Sequence, residues 1–207
     1  MSEFANHINT LCYTLLSPSA RSYIDAGIKL LDSNNWETQY RLSLSLFEMS
    51  ASVSCITGDT ATMYSCLQKV MDNARTIDDT LVASSLLAKL LVYNHQFDDA
   101  RKNCRDILVH LGEEVPADVS LSQALNELSS AQTVLRNMTP GQIEALPPMS
   151  DRRKLDAMKF LNMLCYASHL SKPLLLPVLS CRMVNLTLRH GFCEVPLWAL
   201  QQLAGVW

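Results

Sequence analysis

The sequence is poor in chain breakers. Its 8 prolines and 6 glycines mark boundaries between segments and nowhere fill a linker tract. It has no basic stripe, and its net charge is −3. A nucleic-acid partner is therefore not expected, because phosphate binding needs a clear positive face. No apolar run reaches the ~18 residues that a membrane span requires; the nearest, Leu174 to Val184, is interrupted by Pro177 and Arg182. Met1–Leu16 carries no signal peptide. The seven cysteines (Cys12, Cys55, Cys66, Cys104, Cys165, Cys181, Cys193) are scattered, odd in number and never spaced as CxxC. Most fall at positions of apolar helical spacing, where cysteine packs as a small hydrophobe. The expectation is a soluble protein of the reducing cytoplasm, with no membrane and no nucleic acid among its partners.

What the sequence does contain is enough apolar surface for a helical core, with 48% hydrophobic residues, and an internal repeat. A shift of about 37 residues lays Met49 on Leu86, Ala51 on Ala88 and Val53 on Leu90. It also lays Met63 on Ala100, Leu67 on Cys104, Val70 on Ile107 and Met71 on Leu108. Two-helix repeats of the tetratricopeptide kind have a period near this length. Within each hairpin an alanine of the first helix stands twelve residues before its counterpart, Ala51 with Met63 and Ala88 with Ala100, as close helix crossings require small side chains. The match is degenerate, since Met63 is not small and the usual aromatic positions are not kept.

Taken in order, Phe4, Ile8, Leu11, Leu15 and Leu16 are helix-spaced, and Ser17-Pro18-Ser19 breaks the pattern and starts a second helix to about Leu31. After the turn Asp32–Asn35, Trp36 opens a third. Leu42–Leu46 alternates like a strand, but the longer window gives two helical stripes, Leu42/Leu46/Met49/Val53/Ile56 and Leu44/Phe47/Ala51. Two stripes suit a solenoid helix packed on both sides. Thr57–Thr60 is a hairpin turn, followed by a helix with Met63, Leu67, Val70, Met71 and Ala74 inward. Asp78-Asp79-Thr80 caps a helix on which Val82, Leu86, Leu90 and Tyr93 align. Asn94–Gln96 turns the chain, and Phe97, Ala100, Cys104, Ile107, Leu108 and Leu111 make the clearest apolar face, ended by Gly112 and Pro116. Leu121, Ala124, Leu125, Leu128, Ala131 and Leu135 form a further amphipathic helix. The Pro/Gly-rich stretch 138–150 is the candidate joint. Beyond it come a long helix capped by Ser150-Asp151, a helix begun by Pro173 and Pro177 that runs to Gly191, and a last one over Pro196–Ala204.

Few residues suggest chemistry. Cys165 and His169 stand four apart on one helix, and His190 and Cys193 straddle a helix end; both pairs are expected to be core and interface residues and not metal ligands. His7, His95 and His110 have no nucleophile or carboxylate arrangement near them in sequence. Arg152-Arg153-Lys154 lies in a first helical turn, where the helix dipole disfavours positive charge. It reads as a solvated helix start steadied by Asp151 and Asp156, or as a docking point for an acidic partner. The sequons at Asn137 and Asn185 are expected to be idle. No catalytic, cofactor-binding or metal residue is assigned.

Two stretches carry a family resemblance. One comprises Ala26-Gly27-Ile28-Lys29-Leu30-Leu31, then Trp36, Tyr40, Leu42, Leu44, Leu46, Gly58-Asp59, Leu111-Gly112-Glu113 and Pro116. The other comprises Leu146-Pro147-Pro148-Met149-Ser150-Asp151, Lys154–Met158 and Met183–Gly191. Together, over residues 18–200, they resemble the tetratricopeptide-like helical region that follows the AAA/STAND-type ATPase module in multidomain signalling serine/threonine and histidine kinases. The resemblance implies a signalling scaffold whose protein partners include ATPase or kinase domains. It transfers no activity, because the chain has no Gly-Lys dipeptide for a phosphate-binding loop and no kinase catalytic signature. The fold expected is an all-α, tetratricopeptide-like right-handed solenoid of about nine antiparallel helices. Repeats occupy 1–137, the joint 138–150, and a C-terminal helical segment 151–207. The expected function is a non-catalytic interaction or relay module; the alternatives are a fragment of an active ATP-binding kinase whose catalytic domains lie elsewhere and a free-standing peptide-binding adaptor.

Overall fold

The computed structural model describes residues 18–169 and 171–193. The helices expected over Phe4–Leu16 and Pro196–Ala204 lie outside the described residues. Within them the chain is all-α and has no strand beyond one isolated bridge, Pro148 with Phe192. The helices are α1 (Pro18–Lys29), α2 (Asn35–Thr38), α3 (Tyr40–Thr57), α4 (Thr60–Asn73), α5 (Leu81–Tyr93), α6 (Phe97–His110), α7 (Leu121–Arg136), α8 (Pro140–Glu144), α9 (Arg152–Ser168) and α10 (Leu175–His190). Two compact units divide the chain, Met1–Leu90 and Leu91–Trp207, and the Pro/Gly-rich stretch 138–150 lies inside the second.

The repeat is written into the local structure. Moving α4 forward by 37 residues gives the bounds of α6, each helix being 14 residues long. The preceding turns match as well: Gly58 has φ 74° and His95, 37 positions later, has φ 59°. A left-handed residue is what ends a helix tightly, and glycine takes it without cost whereas histidine does not. Met63, Leu67 and Val70 are buried, and so are their counterparts Ala100, Cys104 and Ile107.

In the first unit α3 is central and packs on α4, α1 and α2. Leu44, Phe47 and Ala51 meet Met63, Leu67 and Val70 in one apolar cluster with Ala83, Leu86 and Leu90 of α5. At Gly27 of α1 an added Cβ would sit 3.1 Å from the Leu46 side chain, so that crossing depends on a small residue. Asp59 caps α4 by accepting the Thr62 amide at 3.1 Å. Trp36 does not open α3 directly: the chain breaks at Gln39 (φ −130°, ψ 38°), and α2 folds Trp36 back to stack on Phe47 at 5.4 Å.

On α3 and α5 the expectations about buried faces need correcting. On α3, Leu46 and Val53 are buried with the second stripe, but Leu42, Met49 and Ile56 are exposed. Ser43, Ser50 and Ser54 occupy the inward positions instead, because small side chains let neighbouring helices approach closely. On α5, Ala83, Leu86, Ala88 and Leu90 are buried while Val82 and Tyr93 are exposed. The packed face again follows the small residues.

In the second unit α6 packs on α9, α9 on α10, and α10 on α7. A sequential stack would make α6 the main neighbour of α7; here α9 and α10 stand between them. Phe160, Met158, Leu161, Leu164, Leu108, Leu179 and Met183 are fully buried in this layer. Helix α7 attaches through Ala124 and Ala131, and Leu121 and Leu125, expected inward, are exposed. The joint is anchored: the Met149 amide donates to the Phe192 carbonyl at 2.8 Å and the Phe192 amide to the Pro147 carbonyl at 2.7 Å. Gly191, at φ 100°, allows this, since a Cβ there would lie 2.3 Å from the Pro147 oxygen.

Candidate functional site

The first unit holds a polar cluster where α2, α3 and the 3₁₀ turn Asp78–Thr80 come together. Tyr40, buried on α3, donates its hydroxyl to Asp79 at 2.8 Å and accepts the Arg75 amide at 2.9 Å. Asp79 also accepts from the Thr76 amide at 3.2 Å and the Thr76 hydroxyl at 2.8 Å, with Arg41 3.5 Å away. Burial pushes the Asp79 carboxyl up, but the bonds from Thr76 and Tyr40 and the Arg41 charge outweigh it and hold the group below its ordinary range. Burial also pushes the Tyr40 phenol up. The Arg75 guanidinium lies over the Tyr40 ring at 4.1 Å and donates to the Trp36 carbonyl at 3.1 Å. A shallow cleft of about 520 Å³ opens beside this cluster. The arrangement fixes a corner between helices, and its acceptors are engaged in doing so.

A second tie joins α1 to the α3–α4 turn. Arg21 meets Asp59 at 2.6 Å, and the side-chain bond from Arg21, with the Thr62 amide, brings the Asp59 carboxyl down to about 2. Glu48 is half-buried on α3, and burial followed by the Asp79 charge raises its carboxyl.

In the second unit the notable group is Arg101 on α6, which is buried. Its Nη1 donates to the Ala167 carbonyl at 2.7 Å and to the Ser171 hydroxyl at 2.5 Å, and its Nη2 pairs with Asp98. A guanidinium set at the last turn of α9 satisfies free carbonyls and complements the negative end of the helix dipole. A cleft of about 570 Å³ lies between α7, α10 and the loop after Gly112, with Glu114, Asn126, Glu127 and Arg182 among its lining residues. Arg182 donates to the Glu114 carbonyl at 3.1 Å and faces Glu127 at 3.7 Å. Nearby, Lys172 pairs with Asp118 and holds that carboxyl below its ordinary range.

The residues singled out from sequence are placed as follows. Cys165 is buried in the α9 core and His169 is exposed, so the pair does not converge. Burial raises the thiols of Cys104, to about 12, and Cys181, to about 11, and raises Cys165 further with Cys104 nearby. Thiols so displaced are poor nucleophiles and poor ligands. Cys193 is buried beside the Pro147–Phe192 anchor, and no group of three potential metal ligands exists among the described residues. His95 sits edge-on to Phe97 at 5.8 Å in the repeated turn. His7 and Cys12 lie outside the described residues. In the basic run, Arg153 donates to the His110 carbonyl at 2.8 Å and Lys154 meets Glu113 at 2.6 Å, tying the start of α9 to the end of α6. Asp151 caps α9 as expected, whereas Asp156 pairs with Lys159. The sequon threonines are engaged too: Thr139 caps α8 and Thr187 bonds back to the Met183 carbonyl.

Sequence reasoning missed Arg101, and it read Asp79 as a helix cap and Tyr40 as a position of the family resemblance without seeing that the two bond each other. The signal for Arg101 was present: it stands three residues before Cys104 and seven before Leu108, a charge on the apolar face itself. Tyr40 likewise precedes Leu44 and Phe47 at helical spacing. No protein-family model, curated protein or solved structure matches the chain.

Proposed function

We propose that the chain is a non-catalytic interaction and relay scaffold of signal transduction, cytoplasmic, built as a tetratricopeptide-like right-handed solenoid and serving protein partners such as ATPase or kinase domains. The observation that carries this reading is the register-true repeat of α4 in α6, down to the left-handed turn residue at Gly58 and His95. Repeats of this kind work as surfaces and seldom as catalysts. Further support comes from how polar chemistry is used: apart from Glu48 and the loop residue Asp118, the displaced carboxylates, phenol and guanidinium among the described residues join or cap helices. In this reading the exposed face of α5, with Val82, Lys89 and Tyr93 in line, belongs to the partner-binding surface.

Affinity purification on the full chain tests the proposal. Wild-type chain should retain a defined signalling partner, and Val82→Asp with Tyr93→Ala should lose it while melting at the same temperature. ATP turnover by the homogeneous chain, abolished by no change in a contaminant, would sink the non-catalytic reading. Undiminished capture by the double variant would remove α5 from the surface.

A further inference from the structure

The turn between α9 and α10 places a serine against a buried positive charge that has no buried counter-charge. Ser171 is exposed, and its hydroxyl accepts from Arg101 Nη1 at 2.5 Å. Arg101 itself is 5% exposed. Its other partners are the neutral Ala167 carbonyl and the Asp98 carboxylate, which is 95% exposed. Solvent screens a carboxylate so placed, whereas a buried guanidinium is stabilised best by a full charge held beside it. Two more cations stand at the same corner. Lys172 follows Ser171 in the chain and pairs with Asp118. Arg105, one turn beyond Arg101 on α6, acts with Lys172 and Arg101 to hold the Asp118 carboxyl below its ordinary range. The corner thus gathers Arg101, Arg105 and Lys172 against two carboxylates, Asp98 and Asp118, both of which lie on the solvent side.

We propose that Ser171 is a phosphorylation site whose phosphate is received by Arg101, Arg105 and Lys172. In the step itself, the Ser171 Oγ attacks the γ-phosphorus of a nucleoside triphosphate held by a serine/threonine protein kinase. The Oγ–P bond forms as the bond to the β,γ-bridging oxygen breaks, the nucleoside diphosphate leaves, and the hydroxyl proton passes to a carboxylate base of the kinase. The product brings nearly two negative charges and three acceptor oxygens to a place where the hydroxyl offered a neutral acceptor. Arg101 is already aimed there, so the charge-assisted bond it would make needs no rearrangement of α6. The turn is also accessible. Its backbone bonds are local, with the Ser171 and Lys172 amides donating to the Ser168 carbonyl at 3.2 and 2.8 Å, so it can open to a kinase without unpacking another helix. Once formed, the phosphate competes with Asp118 for Lys172. Asp118 belongs to the loop after Gly112 that supplies Glu114, Pro116 and Val119 to the wall of the α7–α10 cleft, so the modification would loosen that wall. The inference stands on this corner and does not rest on the proposed partner binding.

Phosphoserine encoded at position 171 of the full chain tests the receiving corner. In phosphorus NMR its phosphate should titrate at about 5, against about 6 for a free phosphoserine. The phosphorylated chain should also melt about 2–4 °C above the unmodified one. Lys172→Gln combined with Arg105→Gln leaves the Arg101 bonds in place, and it should return the titration toward the free value and remove most of the melting gain. The chain recovered from the cells that express it, with phosphatases inhibited, should carry phosphate on Ser171 in peptide mass spectrometry. A phosphate that titrates as a free one, a melting temperature that falls, or a titration unmoved by the double variant would overturn the inference. A Ser171 found unmodified in the recovered chain would overturn it equally.

Discussion

The two units hold themselves together in different ways. In the first, small and polar side chains lie inside: Ser43, Ser50 and Ser54 on the buried face of α3, the Tyr40 hydroxyl against Asp79, and the Cys66 thiol 3.4 Å from the Ser50 hydroxyl. Its corners are fastened by charge, with Arg21 on Asp59 and Arg75 over Tyr40. The second is built on an apolar layer in which Phe160, Leu161, Leu164, Leu179 and Met183 are fully buried, and it buries Arg101, Ser168, Ser180 and Thr187 as well. Buried apolar area is insensitive to pH and tolerates no voids, whereas hydrogen-bonded corners are individually weaker and titrate. The same chain thus contains one unit held chiefly by packed apolar volume and one fastened more by hydrogen-bonded corners.

The largest effect that would sharpen this contrast comes from cutting the apolar layer. Leu161→Ala should cost about 3–5 kcal/mol, because the side chain is fully buried and its neighbours on α6 and α10 cannot close the gap. A chemical-denaturation midpoint equivalent to less than about 1.5 kcal/mol would mean that the layer is plastic, and the contrast would fail. Next comes a pair of glycines, both at positive φ. Gly191→Ala drives a Cβ to 2.3 Å from the Pro147 carbonyl oxygen and should cost about 3 kcal/mol. Gly58→Ala meets nothing within 4 Å and should cost only about 1–2 kcal/mol, the backbone term alone. Equal melting shifts for the two would show that the Pro147–Phe192 anchor is not held by close approach.

Polar ties rank below these. Arg101→Met leaves the Ala167 carbonyl and the Ser171 hydroxyl without their charged donor and should cost about 1–3 kcal/mol. Tyr40→Phe removes one hydroxyl that donates to Asp79 and accepts from the Arg75 amide, for about 1 kcal/mol. If thermal melts rank Tyr40→Phe above Arg101→Met, the first unit depends more on its buried polar group than the second does, and the contrast sharpens.

How far the sequence foretold this follows the same division. Helix positions, the hairpin turn at Gly58 and the stop at Gly112 were legible, because period and left-handed residues are local properties. Which face of a helix is buried was legible where one stripe dominates, as on α6, and misleading on α3 and α5, where small residues decide the approach. Periodicity weighs Leu42 and Ser43 by hydropathy, while the neighbouring helix selects by size. The order α6–α9–α10–α7 is not written in any single helix, since it depends on long-range matching of faces. The buried Arg101 was overlooked because charge was assumed to lie outward.

The smallest expected effect is the most diagnostic, because pH should act on the two units from opposite sides. Asp59 is held at about 2 against an ordinary 3.8. A carboxyl depressed in the folded state adds stability above pH 3.8 that is lost as pH falls toward about 2. Asp79, depressed as well, acts in the same sense in the same unit, and Glu48, raised by burial, partly offsets them. In the second unit Asp118 contributes a like acid dependence through one surface pair, which solvent screens. Its buried thiols carry the opposite sign. A thiol raised to about 12 (Cys104) or about 11 (Cys181) from an ordinary 9.0 adds stability below pH 9 that disappears as pH rises through those values. Tyr40 gives the first unit its own alkaline loss, but starting only above its ordinary 10.0. Between pH 9 and 10, then, opening should be confined to the second unit, seen as alkylation of Cys104 and Cys181 ahead of Cys66. Between pH 4 and 2 pepsin should cut within residues 18–73 before it cuts within α9. Alkylation of Cys66 first, or acid cleavage of α9 first, would show that protonation does not divide the chain as its side chains are arranged to do.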